Sequence, residues 1–324
     1  MKTMKPQPLL FVVLALLVAC TSGDLPFVST EEGIKISADW IQPGAQDALF
    51  VGAGDIARCS QRANAKATGD LIRALLGTFP EVRVFTAGDN AYQDGTASQF
   101  ASCYEPTWGS FNDRTMPAPG NHDYHSRGAR PYFDYFDHYR KDPAAKKRGF
   151  YSFDLRDWHV VSLNSDISMD AASPQVAWLE ADLRSTKKAC ILAVWHHPLF
   201  SSGWHGTQSG DPGRLTFDLW KTLERHHADV IINGHDHHYE RFAPQDHTGK
   251  ASDEGIREFV AGTGGAELRK LKTRKANSEQ RDDGRLGVLL MTLQPDSYAW
   301  AFLGTDGDIH DRSAAPVPCH VKRD

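Results

Sequence analysis

Five short motifs constrain this chain more than anything else in it. They are Gly54-Asp55, Gly88-Asp89-Asn90-Ala91-Tyr92, Gly120-Asn121-His122-Asp123, Trp195-His196-His197-Pro198 and Gly234-His235-Asp236-His237. Most follow a short apolar run, which is how a sheet brings side chains from the ends of several strands to one place. The donors are carboxylate, amide and imidazole, with no thiolate, a set that suits borderline to hard ions such as Zn, Fe or Mn. Asp55, Asp89, Asn121, His196, His235 and His237 are too many for one tetrahedral ion, so two metals are implied. Each motif alone has a plainer meaning. A Gly-Asp after a strand is often a turn with a solvated carboxylate, and among 15 histidines a Gly-His-Asp-His cluster can arise by chance. Their joint occurrence, with donors for one class of ion, argues for a shared site.

The intervening pattern supports a sheet. Buried strands are expected at Ala48 to Ala53, Val82 to Ala87, around Met116, Ile191 to Trp195 and Val230 to Ile232, each leading into a motif. Phe150 to Asp154 and Trp158 to Leu163 read as a strand pair, and late strands fall at Glu258 to Ala261, Val288 to Leu293 and Tyr298 to Leu303. Helical spacing marks Asn64 to Leu76, Pro131 to Tyr139 and Phe217 to His226, and Ser173 is a plausible N-cap for a helix reaching about Ser185. Lys270 to Arg285 is polar and reads as a flexible surface loop. Strands alternating with helices, then several late strands, predict an α/β protein with mixed pairing and a site at the strand carboxyl ends.

Lys2 and Lys5 precede an apolar run from Leu9 to Ala19, the length of a signal-peptide core and short for a bilayer span. The run ends Leu17-Val18-Ala19-Cys20, which resembles a lipoprotein cleavage box with Cys20 as the lipidated residue. An ordinary cleaved signal is the alternative, and both predict export, periplasmic or at the cell surface. Residues 1–20 are therefore taken as a leader and 21–47 as a linker. Export changes how the remaining Cys59, Cys103, Cys190 and Cys319 read. Four cysteines allow three pairings, and spacing does not choose among them. The expected pairing is Cys59–Cys103, which would brace two site loops, with Cys190–Cys319 anchoring a Pro-rich tail. A net charge of −5 offers no basic surface for nucleic acid, so none is expected as a partner.

The motifs together resemble the calcineurin-like metallophosphoesterases, and Tyr92, three residues after Asp89, is similar to the purple acid phosphatase branch in its small single-domain form. The resemblance covers roughly Ala48 to Asp311. It implies an αββα sandwich of two mixed β-sheets flanked by helices, with the phosphoesterase domain at 48–312 and a tail at 313–324. It further implies that Asp55, Tyr92 and His237 bind a first metal, Fe(III), that Asn121, His196 and His235 bind a second, Fe(II), Zn or Mn, and that Asp89 bridges them. His197 competes with His196, but His196 better matches the His-x-Pro arrangement. Ala193 stands where the family usually has Val, a change on the strand that leaves the ligand intact. His122 would protonate the leaving oxygen, Asp123 would orient it, and His205 resembles a second substrate histidine. The implied activity is hydrolysis of small phosphomonoesters by in-line attack of a metal-activated hydroxide. The rival readings are a phosphodiesterase on the same core and a metal- or phosphate-binding lipoprotein without turnover. No protein partner is expected.

Overall fold

Alternate side chains of the strand Ala48–Ala53 serve two different cores. Ala48 and Phe50 point into one apolar cluster, and Leu49, Val51 and Ala53 into another. Such a strand must be covered on both faces, which places it inside a layered α/β structure. A computed structural model describes residues 27–29, 35–37, 43–137, 148–208 and 210–320. The expected leader with Cys20, and most of the expected linker, lie outside the described residues.

In chain order the principal strands are β1 (Ala48–Ala53), β2 (Arg83–Ala87), β3 (Thr115–Ala118), β4 (Tyr151–Leu155), β5 (Trp158–Ser162), β6 (Cys190–Val194) and β7 (Val230–Asn233). There follow β8 (Tyr239–Phe242), β9 (Arg257–Ala261), β10 (Ser278–Asp282), β11 (Gly287–Leu293), β12 (Ser297–Gly304) and β13 (Ile309–Arg312). One sheet has the order β13-β12-β11-β1-β2-β3, with Val317–Pro318 added on β12; the other has the order β10-β8-β9-β7-β6-β5-β4. Both are mixed. β1, β2 and β3 are parallel to one another, with Val51 opposite Val84, and β1 is antiparallel to β11. β5, β6, β7 and β9 form the parallel centre of the second sheet.

The two sheets pack face to face through Phe50, Phe85, Leu192, Phe259, Met291 and Phe302. The outer face of the first is covered by α1 (Arg62–Thr78), through Leu71 and Leu75, and by the segment from Phe100 to Phe136. Within that segment lie α2 (Asn121–His125) and α3 (Arg130–Phe136). The second sheet is covered by α4 (Pro174–Ser185) and α5 (Phe217–Arg225), through Leu179, Leu183, Trp220 and Leu223. This is the αββα sandwich that the resemblance implied. Ser173 caps α4 by accepting the Val176 amide at 3.2 Å, with Pro174 in the first turn.

Both expected disulfides form, Cys59–Cys103 and Cys190–Cys319, with Cα separations of 5.0 and 5.5 Å. The stretch from Lys270 to Arg285 differs from expectation. It contains edge strand β10, whose sequence Ser-Glu-Gln-Arg-Asp carries no apolar signal. Its backbone pairs with β8, so the ladder rather than side-chain burial holds it.

Candidate metal centre

The parallel strands of both sheets end at one rim. Asp55 follows β1, Asp89 follows β2 and Asn121 begins α2 after β3, while His196 follows β6 and His235 follows β7. Backbone bonds stitch these ends together: the Asp55 amide donates to Gly88 O at 3.0 Å and the Gly234 amide to His196 O at 3.0 Å. Asp55, Asp89 and His235 adopt left-handed φ values of 59°, 53° and 69°. That conformation is costly for non-glycine residues and concentrates at functional sites. Gly88 has φ 84° and permits a close approach, because a Cβ there would lie 2.4 Å from His196 Nδ1.

The side chains converge in two groups. In the first, the Tyr92 hydroxyl lies 2.7 Å from Asp55 Oδ1, 2.9 Å from Asp89 Oδ2 and 3.2 Å from His237 Nε2. In the second, His196 Nε2 lies 3.1 Å from Asn121 Oδ1, 3.2 Å from His235 Nδ1 and 3.3 Å from Asp89 Oδ2. Asp89 Oδ2 thus belongs to both groups. Each imidazole turns one nitrogen inward and has the other engaged outside: His196 Nδ1 with Ala87 O at 2.8 Å, His237 Nδ1 with Glu267 O at 2.6 Å and His235 Nε2 with Asp211 at 3.3 Å. An outer acceptor of this kind fixes the tautomer and aims the free lone pair, as in metal sites.

The electrostatics follow from burying this much charge. Burial works to raise the Asp89 pKa, but His196 outweighs it and holds the carboxyl well below its usual range. Burial also opposes protonation of His196, yet Asp89 raises it to about 10. Burial, then Asp55 and Asp89, push the Tyr92 phenol well above its ordinary value. His235 is lowered to about 4 by burial, against the pull of Asp211. Two carboxylates, a phenol, an amide oxygen and three converging imidazole nitrogens fit two cations, which would neutralise the carboxylates and ionise the phenol.

His122 lies beside this group. Its Nδ1 is 2.6 Å from Gln93 O, its Nε2 is 3.8 Å from Asp89 Oδ2, and burial lowers its pKa. Asp123, expected to orient His122, makes no hydrogen bond to it. It accepts instead from the Asn90 side chain at 2.9 Å and the Gly120 amide at 3.0 Å, tying two motifs together, and burial beside Asp89 raises it to about 7. The contact at His122 Nδ1 comes instead from the Gln93 carbonyl. His197, the competing choice, has Nδ1 2.8 Å from Ser165 Oγ, and its ring packs 4.2 Å from that of His235.

His205 packs against His235, with ring centroids 3.8 Å apart and the planes tilted by 40°. Its Nδ1 is 2.9 Å from Asp211 Oδ2 and its Nε2 2.9 Å from Arg269 Nη1, so both nitrogens are engaged. Its loop is braced by Asp236, which accepts the His205 amide at 3.1 Å, and by Glu240, which accepts the Ser202 amide at 2.8 Å. Sequence reasoning missed Asp211 and Arg269. Neither sits in a motif, although Asp211 is only six residues beyond His205.

A family model described as calcineurin-like phosphoesterase matches residues 39–239. Among curated proteins, purple acid phosphatase 21 of Arabidopsis thaliana is 28% identical over 216 residues, covering 59% of this chain and 49% of the relative. The Fe(3+)-Zn(2+) purple acid phosphatase 12 of the same plant is 24% identical over 174 residues, covering 49% and 37%. The chain spans about half or less of the length of these relatives. The purple acid phosphatase from yellow lupin (Lupinus luteus) seeds has a TM-score of 0.66 at 18% identity, over 84% of this chain and 54% of that one. GAP50, the anchor in the inner membrane complex of Plasmodium, has a TM-score of 0.63 at 13% identity, over 86% and 90%. At these identities the solved structures speak for the fold alone, whereas the family match runs over more than half of the sequence and through all five motifs. The chain belongs to the calcineurin-like phosphoesterase family, on its purple acid phosphatase-like side.

Proposed function

We propose that this protein is an exported hydrolase of small phosphomonoesters that works through two metal ions. The observation that carries the reading is the shared position of Asp89 Oδ2, 2.9 Å from the Tyr92 hydroxyl and 3.3 Å from His196 Nε2. Asp55, Tyr92 and His237 would hold the first ion, Asn121, His196 and His235 the second, and Asp89 both. When bound, such a pair neutralises phosphoryl oxygens and lowers the pKa of the attacking water. Iron(III) suits the phenol-bearing position and Fe(II), Zn or Mn the other, in keeping with the iron–zinc name of one relative.

The chain's own groups divide the remaining work. The Gln93 carbonyl engages His122 Nδ1 at 2.6 Å, which leaves Nε2 facing the site. His122 is therefore the group to protonate or hydrogen-bond the leaving oxygen. Asp123 acts by holding Gly120 and Asn90, and so the two motifs, in register. His205 acts as a positioning residue, because Asp211 and Arg269 engage both of its nitrogens. The two disulfides support export, since such bonds persist in oxidising compartments. A cleaved leader at 1–20, a linker to 47 and a lipid anchor on Cys20 belong to the same proposal.

The test is turnover of p-nitrophenyl phosphate and bis(p-nitrophenyl) phosphate by metal-loaded protein, with Asp89→Asn as the control. The expected result is monoester turnover that falls at least about 10²-fold in the variant. A preference for the diester, or full activity in Asp89→Asn, overturns the reading.

A further inference from the structure

Arg269 carries a positive charge that no described carboxylate within ion-pair distance matches. Other cations nearby are compensated: Arg58 pairs with Glu267 at 3.0 Å and Lys270 with Asp283 at 2.9 Å. Among the described residues, the one side-chain partner of Arg269 is His205 Nε2 at 2.9 Å. A guanidinium has five N–H donors in a planar fork, so most of its capacity is unused. The side chain is half-buried beside a centre whose chemistry is anionic.

The position of Arg269 is fixed from several sides. Its amide donates to His237 O at 2.9 Å, and the Lys272 amide donates to Ser202 O at 2.8 Å, so this strap is tied to both the ligand loop and the His205 loop. Asp211 engages His205 Nδ1 at 2.9 Å, and the His205 ring packs against His235 with centroids 3.8 Å apart. The guanidinium therefore meets the centre through His205, whose ring packs against His235. Lys272, also without a described carboxylate partner, lies 5.2 Å from the ring of Trp204, which is 47% exposed, and extends the positive rim.

We propose that Arg269 is a specificity-determining residue that binds a second phosphoryl group, adjoining the one held at the metal centre. The substrate class is a diphosphate, two phosphoryl groups joined through one bridging oxygen; its scissile bond is a phosphoanhydride, but its terminal phosphoryl group is singly substituted, as in a monoester. This rests on the metal-centre reading above. A scissile phosphoryl group alone would meet the two ions and His122. A neighbouring phosphoryl group, lacking a metal, would need a cation farther out, and Arg269 supplies it with bidentate geometry to spare.

The test uses metal-loaded full-length protein and two non-hydrolysable probes, methylphosphonate and methylenediphosphonate, titrated by calorimetry after metal content is checked. The wild type is expected to prefer the diphosphonate. Arg269→Ala is expected to weaken diphosphonate binding about tenfold or more while leaving methylphosphonate within about twofold. Arg269→Lys, which keeps the charge, is expected to retain part of the preference. Equal loss for both probes would mean that Arg269 only holds His205, and undiminished diphosphonate binding would mean that it touches no ligand; either result overturns the proposal. Turnover of p-nitrophenyl phosphate by the same samples reports separately on the catalytic reading. A diphosphonate preference that depends on Arg269 without any turnover would support this inference and sink that reading.

Discussion

Asp211 Oδ2 lies 3.3 Å from His235 Nε2 and 2.9 Å from His205 Nδ1. One carboxylate therefore holds a candidate ligand and the ring packed against it. Burial acts against ionisation of Asp211, but its bonds to His205 and His235 keep its pKa well below the usual range. Removing the charge loosens the aim of His235 and lowers its basicity. Asp211→Asn is expected to weaken the second ion about 10- to 100-fold and the first much less. Stepwise metal titration checks this, and equal affinities in variant and wild type would exclude a role for Asp211 at the centre.

Tyr92 provides an optical test. A phenol held between two carboxylates, as its 2.7 and 2.9 Å contacts place it, stays protonated unless a strong cation displaces the proton. A ferric ion there would form a phenolate with a visible charge-transfer band. Iron-loaded protein is expected to be purple or pink, and Tyr92→Phe to bleach it. A visible spectrum that survives the substitution would remove Tyr92 from the ligand set.

His122 should matter for turnover and little for metal binding. His122→Ala is expected to retain its metal content and to lose about 10²-fold or more in kcat. Comparing monoesters with poor and good leaving groups sharpens the test. A general acid matters most for the poor one, and an equal loss on both would point to a positioning role.

Stability should carry its own pH signature away from the centre. His159 on β5 lies 2.8 Å from Asp182 and 2.9 Å from Asp154. Burial lowers its pKa, but the two carboxylates outweigh burial and leave it raised. A folded value above the unfolded one of about 6.5 gives stability that is full below about pH 6.5. That contribution disappears as the pH rises through the folded value. Urea unfolding across this window should show a decline in wild type that His159→Gln flattens. Parallel curves for the two proteins would assign the decline to other groups.

Much of this was legible along the chain. The strands leading to Asp55, Asp89 and His235 are apolar runs that end in a glycine, and the one leading to His196 ends in His-His-Pro, so both element and donor announce themselves locally. The N-cap at Ser173 is equally local. β10 was not legible, because Ser278 to Asp282 forms an edge strand held by its ladder with β8 rather than by burial.

The sequence by itself determined which donors the chain carries, that they follow strands, and the family those motifs belong to. Only the tertiary structure decided that Asp123 braces Asn90 rather than His122, that Asp211 holds both His205 and His235, and that Arg269 lies against His205, 64 residues away in sequence. The reason is physical. A strand-end motif is a local pattern, whereas the tautomer of an imidazole and the pairing of a charge depend on groups that distant loops bring within about 3 Å.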